Sequence, residues 1–204
     1  MRCDSHIYKI FRKTLIHVSR LARIYQADED EKLLRNALRT LGTNVTLSEI
    51  EVATPNRVSI GDHIYIGPKT QLHGIGYITI KDYSIISSEV YILSSIHNHV
   101  EQFASMIPYD EIEIVKHVTI GIACWIGARA IIMPGVDLGD GCIVGAGAVV
   151  TKSWPSGAIL AGVPAKLIRQ RDMQHFNTCV ENQEFYVLQK SIRGLEKIEK
   201  AFTL

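Results

Sequence analysis

The sequence predicts a mainly β chain wound into a parallel β-helix, and three observations carry that expectation. Stepping by six from Ile120 meets an aliphatic residue each time, at Ile120, Ile126, Ile132, Leu138, Val144 and Val150. Glycine follows four of these anchors, at Gly121, Gly127, Gly139 and Gly145, and four places after each anchor stand Cys124, Ala130, Val136, Cys142, Ala148 and Trp154, all but the last small or β-branched. Composition agrees: 15 glycines and only 7% aromatic residues in 204 leave an interior to be filled by aliphatic and small side chains. A helix would repeat apolar residues at three and four, and an ordinary strand at two, so a period of six fits neither. It describes strands of about four residues joined by short bends in which Gly tolerates unusual φ. Three such hexads make a triangular coil of about 18 residues, and coils stack at the roughly 4.8 Å spacing of parallel strands.

The columns follow from the same count. Ile120 stacks on Leu138, Ile126 on Val144 and Ile132 on Val150. Cys124 and Cys142 become stacked neighbours with nearly parallel Cα–Cβ bonds, a poor disulfide geometry, and are expected as small core fillers.

Taken in order, residues 1–42 are expected to be helical. Ile7, Ile10, Phe11, Thr14, Leu15, Val18, Leu21, Ala22 and Tyr25 recur at helical spacing, with Lys9, Arg12, Lys13, Arg20 and Arg23 elsewhere on the surface. Such a basic amphipathic helix either packs on the β-helix or a neighbouring subunit, or makes peripheral contact with a membrane near a lipid-linked substrate. A second helix is predicted from Asp30 to Leu41, stopped by Gly42. The β-helix is placed at 43–169, its upstream phase running Ile60, Ile66, Leu72, slipping by two residues, and resuming at Ile80, Ile86 and Ile92. A loop at 98–115 interrupts it. From 170 to 204 the tail reads as helical and polar.

Charge excludes some functions. With 22 Lys+Arg against 21 Asp+Glu the chain offers no overall footprint for nucleic acid. No apolar run reaches the roughly 18 residues of a membrane span. The opening MRCDSHIYKIFRK is too broken by charge for a secretory signal. Four cysteines without a CxxC pair suit a reduced, cytoplasmic setting, at the inner face of the membrane if the basic helix touches it.

Two stretches carry chemistry. Loops as long as 98–115 in compact domains are usually functional or disordered, and His97 and His99 stand where the chain leaves the coil. A neutral imidazole there can take a proton from a hydroxyl, although two histidines at a loop root also serve as plain polar turn residues. Downstream runs CWIGARAIIMPGVDLGDGCIVGAGAVVTKSWPSGAILAGVPAKLIR. Its glycines suit a tightly wound coil, but nothing structural asks a coil to end in VVTK followed by AGVPAK.

These motifs resemble the hexapeptide-repeat acyltransferases, and the bacterial sugar and polysaccharide O-acetyltransferases among them, over residues 43–169. The resemblance implies a left-handed β-helix, acetyl-coenzyme A as co-substrate, no metal, and a homotrimer with active sites between subunits. It implies His97 as the catalytic base, eight residues after the motif position Glu89, with His99 as runner-up. Trp125 would pack against the pantetheine arm and the Ala128 N–H would face the thioester carbonyl. Ala146, flanked by Gly145 and Gly147, would meet the pantetheine amides; Thr151 and Lys152 would lie by the adenine, and Lys166 and Arg169 by the phosphates. Glu89 and Lys69 would face the acceptor. Lys69 stands where galactoside and maltose enzymes carry Asn, which sets those simple sugars apart from this chain's acceptor. A surface-polysaccharide or lipid-linked sugar is expected, the alternative being an antibiotic or other small molecule. Direct transfer needs no covalent acyl-enzyme.

Two rival classes remain. A zinc enzyme of the γ-carbonic anhydrase type needs three converging histidines, and His63, His73, His97, His99 and His117 are candidates, but the required i, i+5 pair is absent. A non-catalytic β-helix scaffold is the other. Neither accounts for VVTK and AGVPAK.

Overall fold

The structure, a computed structural model, describes residues 16–17, 26–100 and 105–193. The basic stretch from Ile7 to Tyr25 lies outside the described residues apart from helical Ile16 and His17. The chain separates into two compact units, Met1–Ala37 and Leu38–Leu204. In the first, residues 26–37 form helix α1, supported by two i, i+4 contacts, Gln26 to Asp30 at 2.9 Å and the Arg35–Glu31 ion pair at 2.8 Å. It ends at Ala37 rather than Leu41, because Thr40–Leu41 is the first strand of the β-helix. Gly42 is not a helix stop: a Cβ there would lie 2.4 Å from the Gly61 carbonyl oxygen of the next coil.

The second unit is a three-faced prism of parallel strands. Face 1 stacks Thr40–Leu41, Val58–Ile60, Ile78–Ile80, Val118–Ile120 and Asp137–Leu138. Face 2 stacks Thr46–Leu47, Tyr65–Ile66, Ile85–Ile86, Trp125–Ile126, Ile143–Val144 and Ala158–Ala161. Face 3 stacks Glu51–Val52, Gln71–His73, Tyr91–Leu93, Ile131–Ile132 and Val149–Val150. The predicted columns are present: Ile120 pairs with Leu138, Ile126 with Val144, and Ile132 with Val150. The anchors are buried, and Cys124 and Cys142 are buried free thiols. A first coil, anchored by Leu41, Leu47 and Val52, precedes the periodicity read from Ile60. Its looser spacing hid it.

The bends correct one expectation. Positive φ falls on the third residue after the anchor, at His63, Lys69, Tyr83, Glu89, Ala123, Arg129, Gly141 and Gly147, mostly not glycine. The glycines directly after anchors are needed for another reason, the approach of the next coil. A Cβ on Gly127 would sit 2.6 Å from the Ala146 nitrogen and 2.7 Å from the Val144 oxygen.

Beyond the first coil, where Leu47 and Val52 are only five residues apart, the departures from six fall at the corner where face 3 hands over to face 1. Ile60 pairs with Ile80, twenty residues on, because Gly74, at φ +108, opens a wider bend there. The long excursion leaves at the same corner after Leu93. Its base is ordered: Ser95–His97 pairs antiparallel with Glu113–Val115, so residues 113–115 are strand rather than loop.

The β-helix stops when Lys166–Gln170 turns back antiparallel on Ala158–Ala161. Two helices follow, α2 (Met173–Glu181) and α3 (Tyr186–Arg193), and pack on face 2 within the same unit. Asp172 caps α2, its Oδ1 accepting from the Gln174 and His175 N–H groups. Phe176 fills the space beside Gly141, and Phe185 stacks on Tyr83 at 3.7 Å. The described part of the tail is a cover for the β-helix, bringing aromatic rings that the coil interior has no room for. Among the described residues no helix is long and apolar enough to cross a membrane.

Candidate active site

The coil sorts the expected site residues onto two corners and one face. At the corner between faces 2 and 3, successive coils present Lys69, Glu89, Ala128 and Ala146. At the corner between faces 3 and 1 the excursion carries His97 and His99, and Thr151 and Lys152 stand at the same corner lower in the stack. Trp125 lies on face 2, half exposed at 52%. Lys166 and Arg169 sit on the terminal antiparallel strand, opposite Ala161 and Ile159 in register, and both are exposed. Within one chain these groups do not meet at one point.

The first corner adds a residue that sequence reasoning missed. Arg129 Nε donates to Glu89 Oε2 at 3.0 Å, one coil apart in space and forty residues apart in sequence. The Arg129 guanidinium, with Lys69 adding to it, holds the Glu89 carboxyl below its usual range. Lys69, Glu89, Arg129, Gln71 and Tyr91 line a cavity of about 560 Å³ that continues onto face 3. The excursion between Glu89 and Arg129 concealed the pairing; counting by coil rather than by residue would have found it.

Bend geometry explains what Ala128 and Ala146 can offer. Their neighbours are spent on the coil, Gly127 N–H to Val144 O at 2.8 Å and Gly147 N–H to Ala128 O at 2.8 Å. Among the described residues the N–H groups of Ala128 and Ala146 donate to nothing, because the first residue of the bend turns its amide out of the ladder. Gly147, at φ +68, would carry its Cβ into open space. Amides left out of the ladder can serve an oxyanion or an amide carbonyl. Lys152 Nζ lies 4.7 Å from the Trp154 ring centroid, a cation–π contact that steadies it at its corner.

His97 and His99 are exposed, and His99 Nδ1 lies 3.3 Å from the His97 carbonyl. The other histidines have separate places. His63 stacks against Tyr83, His117 Nδ1 accepts from the Tyr77 N–H at 3.0 Å, and His73 ends a strand of face 3. Among the described residues no three His, Cys, Asp or Glu side chains are grouped to hold a metal ion.

A three-faced parallel prism broken by one excursion is a β-helix scaffold, and comparison with known proteins defines its class. The family described as "Hexapeptide repeat of succinyl-transferase" matches residues 117–152. The colanic acid biosynthesis acetyltransferase WcaF of Escherichia coli (strain K12) is 32% identical over 140 residues, covering 68% of this chain and 73% of that protein. The galactoside O-acetyltransferase of the same organism is 26% identical over 171 residues, covering 80% and 81%. A solved galactoside acetyltransferase in complex with coenzyme A superposes with a TM-score of 0.67 at 25% identity, covering 86% of each chain. The chain belongs to the hexapeptide-repeat acyltransferases and is an enzyme of that class.

Proposed function

We propose that this chain transfers an acetyl group from acetyl-coenzyme A directly to a hydroxyl of a sugar, with His97 as general base. The observation that carries the reading is the exposed imidazole at the root of an excursion from the coil, in a chain whose following coils match the hexapeptide repeat of acyltransferases. His97 takes the proton of the acceptor hydroxyl as its oxygen bonds to the thioester carbon. The negative charge moves to the carbonyl oxygen and is met by the Ala128 N–H. Collapse of the tetrahedral intermediate breaks the C–S bond, and the proton held by His97 passes to the departing thiolate. His99 is the alternative base.

Trp125 packs on the pantetheine arm in this reading, and the Ala146 amide bonds it where Gly145 and Gly147 leave room. Thr151 and Lys152 flank the adenine, and Lys166 and Arg169 meet the phosphates, a task suited to cations at the mouth of a groove. Lys69 and Glu89 face the acceptor, with Arg129 beside them. The separation of His97, Thr151 and Lys152 from Ala128 and Ala146 onto different corners supports a homotrimer, in which one subunit's base meets the next subunit's groove. The outer side of face 3 supports the same assembly, since Tyr91, Ile131 and Val149 form an apolar stripe between those two corners. The absence of simple-sugar Asn at Lys69 and the WcaF likeness favour a surface-polysaccharide or lipid-linked acceptor, in the cytoplasm or at the inner face of the membrane. The basic N-terminal segment is the element that would make that contact.

Free-thiol release from acetyl-coenzyme A across a panel of sugars, nucleotide sugars and hydroxylated antibiotics tests the reading. Turnover with a sugar and none with antibiotics is expected; turnover with antibiotics alone overturns the sugar assignment. Light scattering should find three copies per particle, and a fully active monomer would contradict the shared site.

A further inference from the structure

The His97 imidazole lies flat on the ring of Tyr109, centroids 4.1 Å apart and planes 14° from parallel. Among the described residues no carboxylate bonds that imidazole. Glu113, its register partner across the ribbon, is engaged by Ser95 Oγ at 2.6 Å. The base is therefore oriented here by a ring face, and the question becomes what holds Tyr109.

The chain answers with two buried polar residues, one beside each ring. Asn98 follows His97 and Asp110 follows Tyr109, and they are only 3% and 4% exposed. Asn98 Nδ2 donates to Asp110 at 3.2 Å to Oδ2 and 3.4 Å to Oδ1. Asp110 also accepts the Ser105 N–H at 3.0 Å and the Ile112 N–H at 3.0 Å. Asn98 Oδ1 accepts the Val100 N–H at 3.1 Å, and the Asn98 N–H donates to the Ile112 carbonyl at 2.9 Å. Together they tie the outgoing limb, which carries His97, to the returning limb, which carries Tyr109.

Among the described residues of this segment, Met106 and Ile107 are 56% and 94% exposed and add no apolar burial to order it. Burying a carboxylate is costly unless several donors satisfy it, so a charged brace is a poor choice for a loop that only has to close. It suits a loop that has to hold one geometry. A general base displaced by about 1 Å can lose about a hundredfold in rate.

We propose that Asp110 and Tyr109 are positioning residues for His97: Tyr109 fixes the plane of the imidazole, and the Asp110–Asn98 brace fixes Tyr109. This rests on His97 as the base, and the test separates the two. Hydrolysis of acetyl-coenzyme A with water as acceptor, read by thiol release, is compared for Tyr109→Phe, Tyr109→Leu, Asp110→Ala and His97→Ala. The His97 ring C–H resonances are followed in parallel by ¹H–¹³C NMR, and melting curves confirm that each variant is folded. Tyr109→Phe should match the parent in rate and keep the upfield ring-current shift of His97. Tyr109→Leu and Asp110→Ala should lose that shift and about 10- to 100-fold in kcat, with KM for acetyl-coenzyme A within about twofold. Folded Tyr109→Leu with parental kcat beside an inactive His97→Ala overturns the positioning role. An active His97→Ala overturns the base instead; the ring-shift comparison still decides the brace, and an Asp110→Ala protein whose His97 resonances keep the parental upfield shift would refute it.

Discussion

Replacing Gly127 by Ala asks whether coil contact or backbone freedom explains the glycines of this repeat. The added Cβ would lie 2.6 Å from the Ala146 nitrogen, 2.7 Å from the Val144 oxygen and 2.9 Å from the Gly145 carbonyl carbon. All three are backbone atoms of the next coil, so no rotamer change relieves the contact. The coils must part locally, and the Gly127 N–H···O Val144 bond of 2.8 Å is the one that stretches. Overpacking costs about 1–3 kcal/mol. Weakening the bond adds about 1 kcal/mol, for about 2–4 kcal/mol together. In a unit of this size each kcal/mol lowers the melting temperature by about 2–4 °C, so a fall of roughly 5–15 °C is expected by thermal circular dichroism. Gly147→Ala is the matched control. Nothing lies within 4 Å of its Cβ, and its cost comes from φ +68 alone, about 1–2 kcal/mol. Coenzyme A affinity, read by calorimetry, should fall in Gly127→Ala as well, because the parted coils carry the Ala128 and Ala146 amides. A Gly127→Ala protein that melts no lower than Gly147→Ala would refute the close-approach argument.

Other expectations can be checked on the same protein. His97→Ala should lose about 10²- to 10⁴-fold in turnover while the Kd for acetyl-coenzyme A barely changes, and near-normal turnover would move the base to His99. Lys166→Ala and Arg169→Ala should each raise KM for acetyl-coenzyme A by about tenfold with kcat unchanged, an effect that shrinks as salt is added; identical KM values would place both cations outside the groove. Acid should loosen the His97 segment. The Ser105 N–H, the first of several donors, holds the Asp110 carboxyl below its usual value. A carboxyl lowered on folding contributes stability in full above its unfolded pKa of about 3.9, and loses it as pH falls through the lower folded value. The His97 ring-current shift should therefore persist at pH 5 and fade below about pH 4; a shift that instead disappears between pH 6 and 8 would contradict this. The hydrogen bond with Cys142 pushes the Cys124 thiol up and burial adds to it, so site-resolved alkylation should spare Cys124 in the native protein and reach it only on unfolding, and rapid native labelling would place it outside the core.

Much of this was legible because a β-helix converts linear period into space. The anchors from Ile120 to Val150, their columns and the buried cysteines follow from counting by six, since each coil repeats one geometry and contacts only its neighbours. The sequence places the β-helix from residue 43, but the anchors of its first coil escaped, because Leu41, Leu47 and Val52 are unevenly spaced and Thr40–Leu41 could equally continue a helix. Arg129 escaped because the excursion adds its length between Glu89 and its partner. The brace escaped for a different reason: Asn98, Tyr109 and Asp110 lie in a segment without period, where only the folded path shows which residues meet.

By itself the sequence determined the architecture, the enzyme class through its repeat and its VVTK and AGVPAK motifs, and the place where the coil is interrupted. The tertiary structure alone decided which expected residues share a corner, which glycines serve close approach rather than φ, and that Tyr109 rather than a carboxylate faces His97. The division has a physical cause. Repetitive backbone hydrogen bonding makes register a local property that composition can express, whereas side-chain stacking and a buried carboxylate's partners depend on where non-repeating segments fold back.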